Sequence, residues 1–438
     1  MHRLHGSRRA CVEFQTEVYE EMKTSTRRMA SLLRIVCFPL LVLSIPVLRL
    51  LRIRVLYNPV FPPSFSRIGH LALEIDCFVK EGMLNLRPAH RGLIVFPRDK
   101  IANAVLLEYW KKHVFVIDSP FWTQILSPWR RWPSICFRVD QYVTIAPTVH
   151  AIQAAFQDRP PLLQLTPQHR QEGAERLREL GVPPEAWYVC FHVREGGYDA
   201  NDPLHTTRNA DIANYVLAMK EIVARGGWCV RMGDPTMKQL PPLSGVIDYA
   251  HSPLRSDWMD IFLCASCYFF VGSASGLNVV ANVFGVSSAI ANASGPVLAL
   301  GAGNKDLSIP KLLWSEPLGR HLTIQEITST PMGNARFTEC NQSQGIVAQE
   351  NSPGDIRDLI VEMLEEKAGR FVEDDDDRKL QGTFRSLIKP GHYCFGGVSR
   401  MGRQFLRKHR NLIDPNLAPE PRFEYVRQPC RLSTCFCT

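Results

Sequence analysis

The segment from Tyr268 to Phe284 constrains this chain more than any other. Tyr268-Phe-Phe-Val271 is aromatic and β-branched and predicts a buried strand, while Leu277, Val280, Ala281 and Phe284 fall on one helical face. Between them lies Gly272-Ser-Ala-Ser-Gly276. A small-residue loop joining a strand to a helix sets free helix-start amides beside glycines that admit close approach of a ligand, and Ser273 and Ser275 add hydroxyls. Phosphate is the anion such a loop suits. A tight turn in a buried sheet is the other reading of the same residues, and the rest of the chain has to discriminate.

A length of 438 residues implies two or three domains, and 45% hydrophobic with 21% charged residues implies large globular cores. The net charge is +8, with the basic excess concentrated in residues 1–54, so nucleic acid is not an expected partner. Thirteen cysteines at irregular spacing argue against a disulfide framework and for a reducing compartment. Cys264-Ala-Ser-Cys267 and Cys435-Phe-Cys437 lack a second pair at zinc spacing and read as structural thiols. No metal or cofactor is expected.

In chain order, residues 1–31 are a basic polar N-terminus and 32–54 an apolar segment flanked by Arg34, Arg49, Arg52 and Arg54. The uncharged run from Ile35 to Leu48 is shorter than the about 20 residues of a spanning helix, and Pro39 and Pro46 weaken it. It is expected to lie in the face of a membrane, held by cationic flanks that suit anionic cytoplasmic lipids, with a buried amphipathic helix as the alternative. A signal peptide fits poorly, because the preceding polar stretch is long and no clean cleavage site follows. Residues 55–180 alternate strand and helix signals, as do 181–345, which predicts two α/β domains with parallel sheets. Residues 346–413 read as a C-terminal helical extension, 414–438 as a loose tail, and Glu373-Asp-Asp-Asp-Asp377 as a solvated acidic turn.

The second domain opens with a strand ending at Arg194, followed by a helix that Asn209 would cap, a strand through Arg231 closed by Gly233, a short strand at Asp248, and a helix capped by Ser256. This is a Rossmann-like order, in which ligands bind beyond the carboxyl ends of the strands. Arg194, Gly233, Asp248 and the 272–276 loop then converge on one crevice. No GxGxxG follows the first strand, so dinucleotide binding is disfavoured. An Arg beside a small-residue loop suits a diphosphate.

Phe191-His-Val-Arg194, Arg208-Asn209, Arg231-Met-Gly233, Asp248-Tyr249, Ser256-Asp-Trp-Met-Asp-Ile-Phe262 and Gly272-Ser-Ala-Ser-Gly276, with Arg67-Ile-Gly-His70, together resemble a family of bacterial glycosyltransferases of surface polysaccharide synthesis. More distantly, His192-Val-Arg194 and the Gly-Ser loop look like donor motifs of the metal-independent fucosyltransferase superfamily, although Glu195-Gly196 stands where that motif often continues with a second Arg and an Asp. The resemblance implies two Rossmann-like domains (GT-B-like) facing across a cleft, with a nucleotide-sugar donor, a GDP-sugar first, on the second domain. A cell-envelope glycan or lipid-linked acceptor is expected on the first domain, at the cytoplasmic face of the membrane.

Candidate catalytic residues are Arg194, Glu195 and Asp199; candidate donor contacts are His192, Arg208, Asn209, Arg231, Gly233, Asp248, Gly272, Ser273, Ser275 and Gly276. Gly69 and His70 are placed on the acceptor side. Arg231, fourth in its strand, either assists or pairs within the protein. An inverting reaction needs a base, and Asp202, Glu74, Asp76 and Asp99 stay open beside Glu195 and Asp199. A nucleotide-sugar epimerase and a non-catalytic nucleotide-sugar-binding scaffold are the competing readings.

Overall fold

The structure, a computed structural model, describes residues 29, 33–60, 64–156, 159–196, 207–293, 303–330, 344–414 and 417. Two compact units divide the chain: Met1–Leu71 with Glu81–Asp140, and Ala72–Lys80 with Gln141–Thr438.

The first unit carries β1 (Ile53–Tyr57), β2 (Arg91–Val95), β3 (Val114–Ile117) and β4 (Cys136–Arg138) in the order β3-β2-β1-β4. All three pairings are parallel. Strands β1 and β4 were not expected: β1 begins inside the segment assigned to the membrane, and β4 is only three residues long. The helix Leu33–Leu50 runs through both Pro39 and Pro46, contrary to the weakening expected of them. Its Leu41 and Leu48 join β1, β2, Trp129 and Ile135 in one core.

The second unit holds β5 (Tyr188–His192), β6 (Trp228–Arg231), β7 (Val246–Ile247), β8 (Phe270–Gly272), β9 (Ser288–Ala293) and β10 (Leu307–Pro310). A small antiparallel sheet of β11 (Leu312–Ser315), β12 (Arg320–His321) and β13 (Ile346–Gln349) follows, and β14 (Arg400–Met401) returns to the main sheet. The main order is β14-β10-β9-β8-β5-β6-β7, parallel throughout. Strands β5, β8 and β9 are near-continuously buried, the pattern of a parallel sheet covered on both faces. The chain walks outward from β5 to β7, then crosses back to β8 on the other side of β5. The order therefore reverses between β5 and β8, where doubly wound sheets open a ligand crevice.

Helix ends follow local chemistry. Thr166 caps Pro167–Glu179, Ser256 caps Asp257–Ser266, and Gly181 and Gly226 take the left-handed conformation that stops a helix. Two local expectations are corrected. Asp211, not Asn209, caps the segment Ile212–Tyr215 that leads into Val216–Ala224, its side chain accepting from Ala213 N at 3.0 Å. The acidic run is not a solvated turn: Asp374 caps the helix Asp375–Ser386, and Arg407 pairs with both Asp374 and buried Asp377 at 2.7 Å. Acidic side chains at a helix start also complement its dipole. The helix Pro353–Lys367 and β14 pack into the same core as β5 and β8.

Candidate functional site

At the reversal point, register pairs His192 with Gly272. A Cβ on Gly272 would lie 2.1 Å from the His192 carbonyl oxygen, so β8 can run this close to β5 only with glycine there. Two residues past β5, the Arg194 amide donates to Ser273 Oγ at 2.9 Å, and the Arg194 carbonyl accepts from Ala210 N at 2.9 Å. Ser273 is fully buried. Arg208 forks onto the loop from the other side, its Nε and Nη2 donating to the Ala274 carbonyl at 3.1 and 2.7 Å. Arg194, Arg208 and the 272–276 loop are thereby tied into one assembly.

Not every loop amide is left for a ligand. Ser273 N donates to the His192 carbonyl at 3.3 Å and Ser275 N to Asn278 Oδ1 at 2.9 Å. What remains is the start of the helix Gly276–Val283, where Ser275 and Asn278 form a capping box and the Gly276 and Leu277 amides have no intrahelical acceptor. With two guanidinium-bearing residues beside it, this end of the sheet is electropositive and suits an anion.

Arg231 takes the internal alternative, with Asp248 as its partner. Arg231 is fully buried, donating from Nη1 to Asp248 Oδ1 at 2.9 Å and from Nη2 to the Lys238 carbonyl at 3.0 Å. Asp248 Oδ2 accepts from Leu240 N at 3.0 Å and lies 3.0 Å from His251 Nδ1. Glu195 joins the same network, accepting from Lys238 N at 2.6 Å with its other oxygen 3.5 Å from Arg231. Gly233 adopts φ +147 in the turn after β6, its Cα facing the Met237 sulfur. Burial, and then the neighbouring Arg231, push the His192 imidazole down to about 4, so its ring is neutral at pH 7.

The structure does not bring every candidate together. Asp199 and Asp202 lie outside the described residues. Gly69 and His70 sit half-buried in the first turn of the helix Ile68–Met83, in the first unit, and Asp99 is exposed in the turn Arg98–Lys100. Glu74 and Asp76 are fully buried. Asp76 forms a closed triangle, 2.7 Å from Lys80 and 3.2 Å from Gln153, which in turn accepts from Lys80 at 3.1 Å.

A second polar network at the carboxyl ends of β9 and β10 escaped sequence reasoning. Asn292 and Asn351 exchange backbone-to-side-chain bonds at 2.6 and 2.7 Å, and Asn351 Nδ2 donates to the Pro310 carbonyl at 2.8 Å. Lys311, buried and with its pKa lowered by that burial, donates to the Asn209 carbonyl at 2.6 Å. An Asn inside the apolar run Ala289–Ala293 and a Lys between Ile309 and Leu312 were the available signals.

No known family profile and no curated protein sequence matches this chain. Among solved structures it is similar to a glycosyltransferase family 9 protein of Veillonella parvula DSM 2008, with 11% identity, a TM-score of 0.34, and 59% of this chain and 85% of that chain covered. It is also similar to the ADP-heptose LPS heptosyltransferase II of E. coli, with 15% identity, a TM-score of 0.35, and 59% and 90% covered. A third is the iron-containing dodecameric glycosyltransferase TibC of enterotoxigenic E. coli, at 14% identity, a TM-score of 0.32, and 57% and 60% covered. All three neighbours are glycosyltransferases; the superpositions are too loose to transfer a residue's role.

Proposed function

We propose that this protein is a glycosyltransferase that moves a sugar from a nucleotide-diphosphate sugar to a cell-envelope glycan or lipid-linked acceptor at the cytoplasmic face of a membrane, without a metal. The observation that carries this reading is the convergence of Arg194, Arg208, the 273–276 loop and a helix start at the reversal between β5 and β8. In the reaction the acceptor oxygen bonds to the anomeric carbon as the bond to the diphosphate breaks. The acceptor proton passes to a base, and the bonding electrons leave on the diphosphate. Charge develops on that leaving group, so the contribution asked of the site is fixed positive potential. Arg194 and the helix-start amides supply it. Hydrogen bonds on both sides of the Arg194 backbone hold the residue in place before the substrate arrives. An inverting course with a carboxylate base completes the scheme.

The test is a thermal-shift screen of GDP, UDP, ADP, CMP and dTDP on the full chain and its Arg194→Ala variant, with and without a chelator. A nucleotide at about 100 times its dissociation constant stabilises by about 2.7 kcal/mol. The expected result is a shift with one base, GDP first, that survives chelation and is lost in Arg194→Ala. No shift with any nucleotide overturns the reading. With the matching nucleotide sugar, release of nucleoside diphosphate that requires an added acceptor separates transfer from epimerisation.

A further inference from the structure

The helix Leu33–Leu50 is apolar all round, with a mean hydropathy of 2.0, yet it has two different faces. Leu41, Ile45 and Leu48 pack into the core of the first unit beside Trp129 and Leu126. Ser44 accepts from Trp129 Nε1 at 3.2 Å, and Phe38 meets Trp132 edge-on with ring centroids 5.9 Å apart. The opposite arc is bare. Ile35, Val36, Leu40, Leu43, Val47 and Leu50 are 54–84% exposed, and at helical spacing they form one continuous stripe. Scattered exposed apolar residues are ordinary; an unbroken stripe along a whole helix marks a surface that is covered by something.

The charges beside the stripe identify the cover. Arg34 and Arg49 flank the stripe, and both are exposed. Past the C-terminal end come exposed Arg52 and Arg91, the Arg91 amide donating to the Arg52 carbonyl at 2.9 Å. The Arg91 guanidinium lies 6.0 Å from the ring of Phe115, itself 47% exposed. Burial and then Arg54, Arg87 and Arg52 hold the His90 imidazole below its usual range, which registers the concentration of positive charge here. Arg87 of this group is paired, with Glu81 at 2.9 Å. An apolar stripe with a cationic border matches the acyl boundary and headgroups of an anionic bilayer.

We infer that Leu33–Leu50 docks the first unit in the plane of an anionic membrane, with the Val36–Leu43–Val47–Leu50 stripe in the acyl boundary, Arg49, Arg52 and Arg91 on the headgroups, and the Leu41–Leu48 face still seated on its own unit. Spanning would strip Leu41, Ser44 and Leu48 from Trp129 and Leu126, whereas lying flat keeps every one of those contacts. At 1.5 Å per residue the helix is about 27 Å long, just under the about 30 Å of hydrocarbon a span must cross. This deepens the membrane side of the proposed function, but vesicle binding is read without turnover, so either can fail alone.

The experiment is vesicle flotation of the full chain on phosphatidylcholine alone and on phosphatidylcholine with phosphatidylglycerol. Binding is expected only with the anionic lipid, and Arg49→Glu/Arg52→Glu should weaken it about tenfold or more. Leu43→Glu/Val47→Glu should abolish it while leaving the melting temperature unchanged, since both side chains are exposed; Leu50→Glu, at the most exposed position, is the second variant. An N-terminal tag should stay open to protease added outside the vesicles. Three results overturn the inference: binding that ignores the stripe variants, a tag protected from protease, or a stripe that holds two copies together in solution and releases them as monomers when Leu43 and Val47 are charged.

Discussion

The Arg194 amide donates to Ser273 Oγ at 2.9 Å, joining the end of β5 to the loop after β8 across the point where the strand order reverses. These residues are 79 positions apart in the chain and neighbours in the site. Replacing Ser273 with Ala leaves a buried N–H without its acceptor, at a cost of about 1–3 kcal/mol. Under the proposed function, Ser273→Ala should lose nucleotide affinity together with stability. Affinity kept at full strength would detach the loop from the site.

Arg208 grips the Ala274 carbonyl with two nitrogens of one planar group. Lysine cannot reproduce a fork. Arg208→Lys and Arg208→Ala should therefore raise the apparent KM for the donor by a similar factor, about tenfold, with a smaller effect on kcat. Steady-state kinetics on both variants checks this; full rescue by Lys would show that charge alone matters.

Gly272 should accept no side chain. Its missing Cβ would lie 2.1 Å from the His192 carbonyl, which is backbone and cannot swing aside. Gly272→Ala is expected to destabilise by about 1–3 kcal/mol or more, read by urea denaturation. Gly181→Ala makes a control in which nothing lies within 4 Å and only the left-handed φ of +93 is strained.

Breaking the Arg231–Asp248 pair should cost up to about 3 kcal/mol, because Arg231 is fully buried and, once Asp248 is changed, keeps only Glu195 at 3.5 Å as a charged partner among the described residues. Arg231→Met and Asp248→Asn should then lower stability far more than nucleotide affinity, with denaturation and thermal shift measured on the same samples. An Asp248→Asn variant of normal stability that no longer binds nucleotide would return Asp248 to the ligand.

His192 carries a pH prediction. Its folded pKa of about 4 lies below the ordinary 6.5, so the unfolded chain binds more protons between those values. Stability from this residue is complete above pH 6.5 and is lost as pH falls toward 4, at about 1.4 kcal/mol per pH unit at most. Asp306, pushed up to about 7 by burial, acts with the opposite sign over an overlapping range. The check is the difference in stability between His192→Gln and wild type across pH 4 to 7, scaled as about one residue's titration. A pH-independent difference would place the ring in water.

Local signals carried much of the architecture. The apolar runs at β5, β6 and β8 and the capping chemistry of Ser256 are properties of a few adjacent residues, and the structure has them within a residue or two of where the pattern puts them. Strand β4 is three residues long and leaves no periodicity to read. Asn209 looks like a helix cap and is two residues early, because Asp211 does the same job nearer the turn.

Which residues touch was decided by packing. Arg231 and Asp248 have the composition of ligand contacts in the sequence, and burial turned them into a structural ion pair. Lys311 and Asn292, polar residues inside apolar runs, became part of the polar network next to the site. The N-terminal apolar helix shows the division most plainly: its composition fixes that it avoids water, but composition is the same on every side. Only the seating of Leu41 and Leu48 against Trp129 decides which side faces the protein and which stays exposed. Hydrophobic burial has no direction of its own, so orientation comes from the shape of the partner surface.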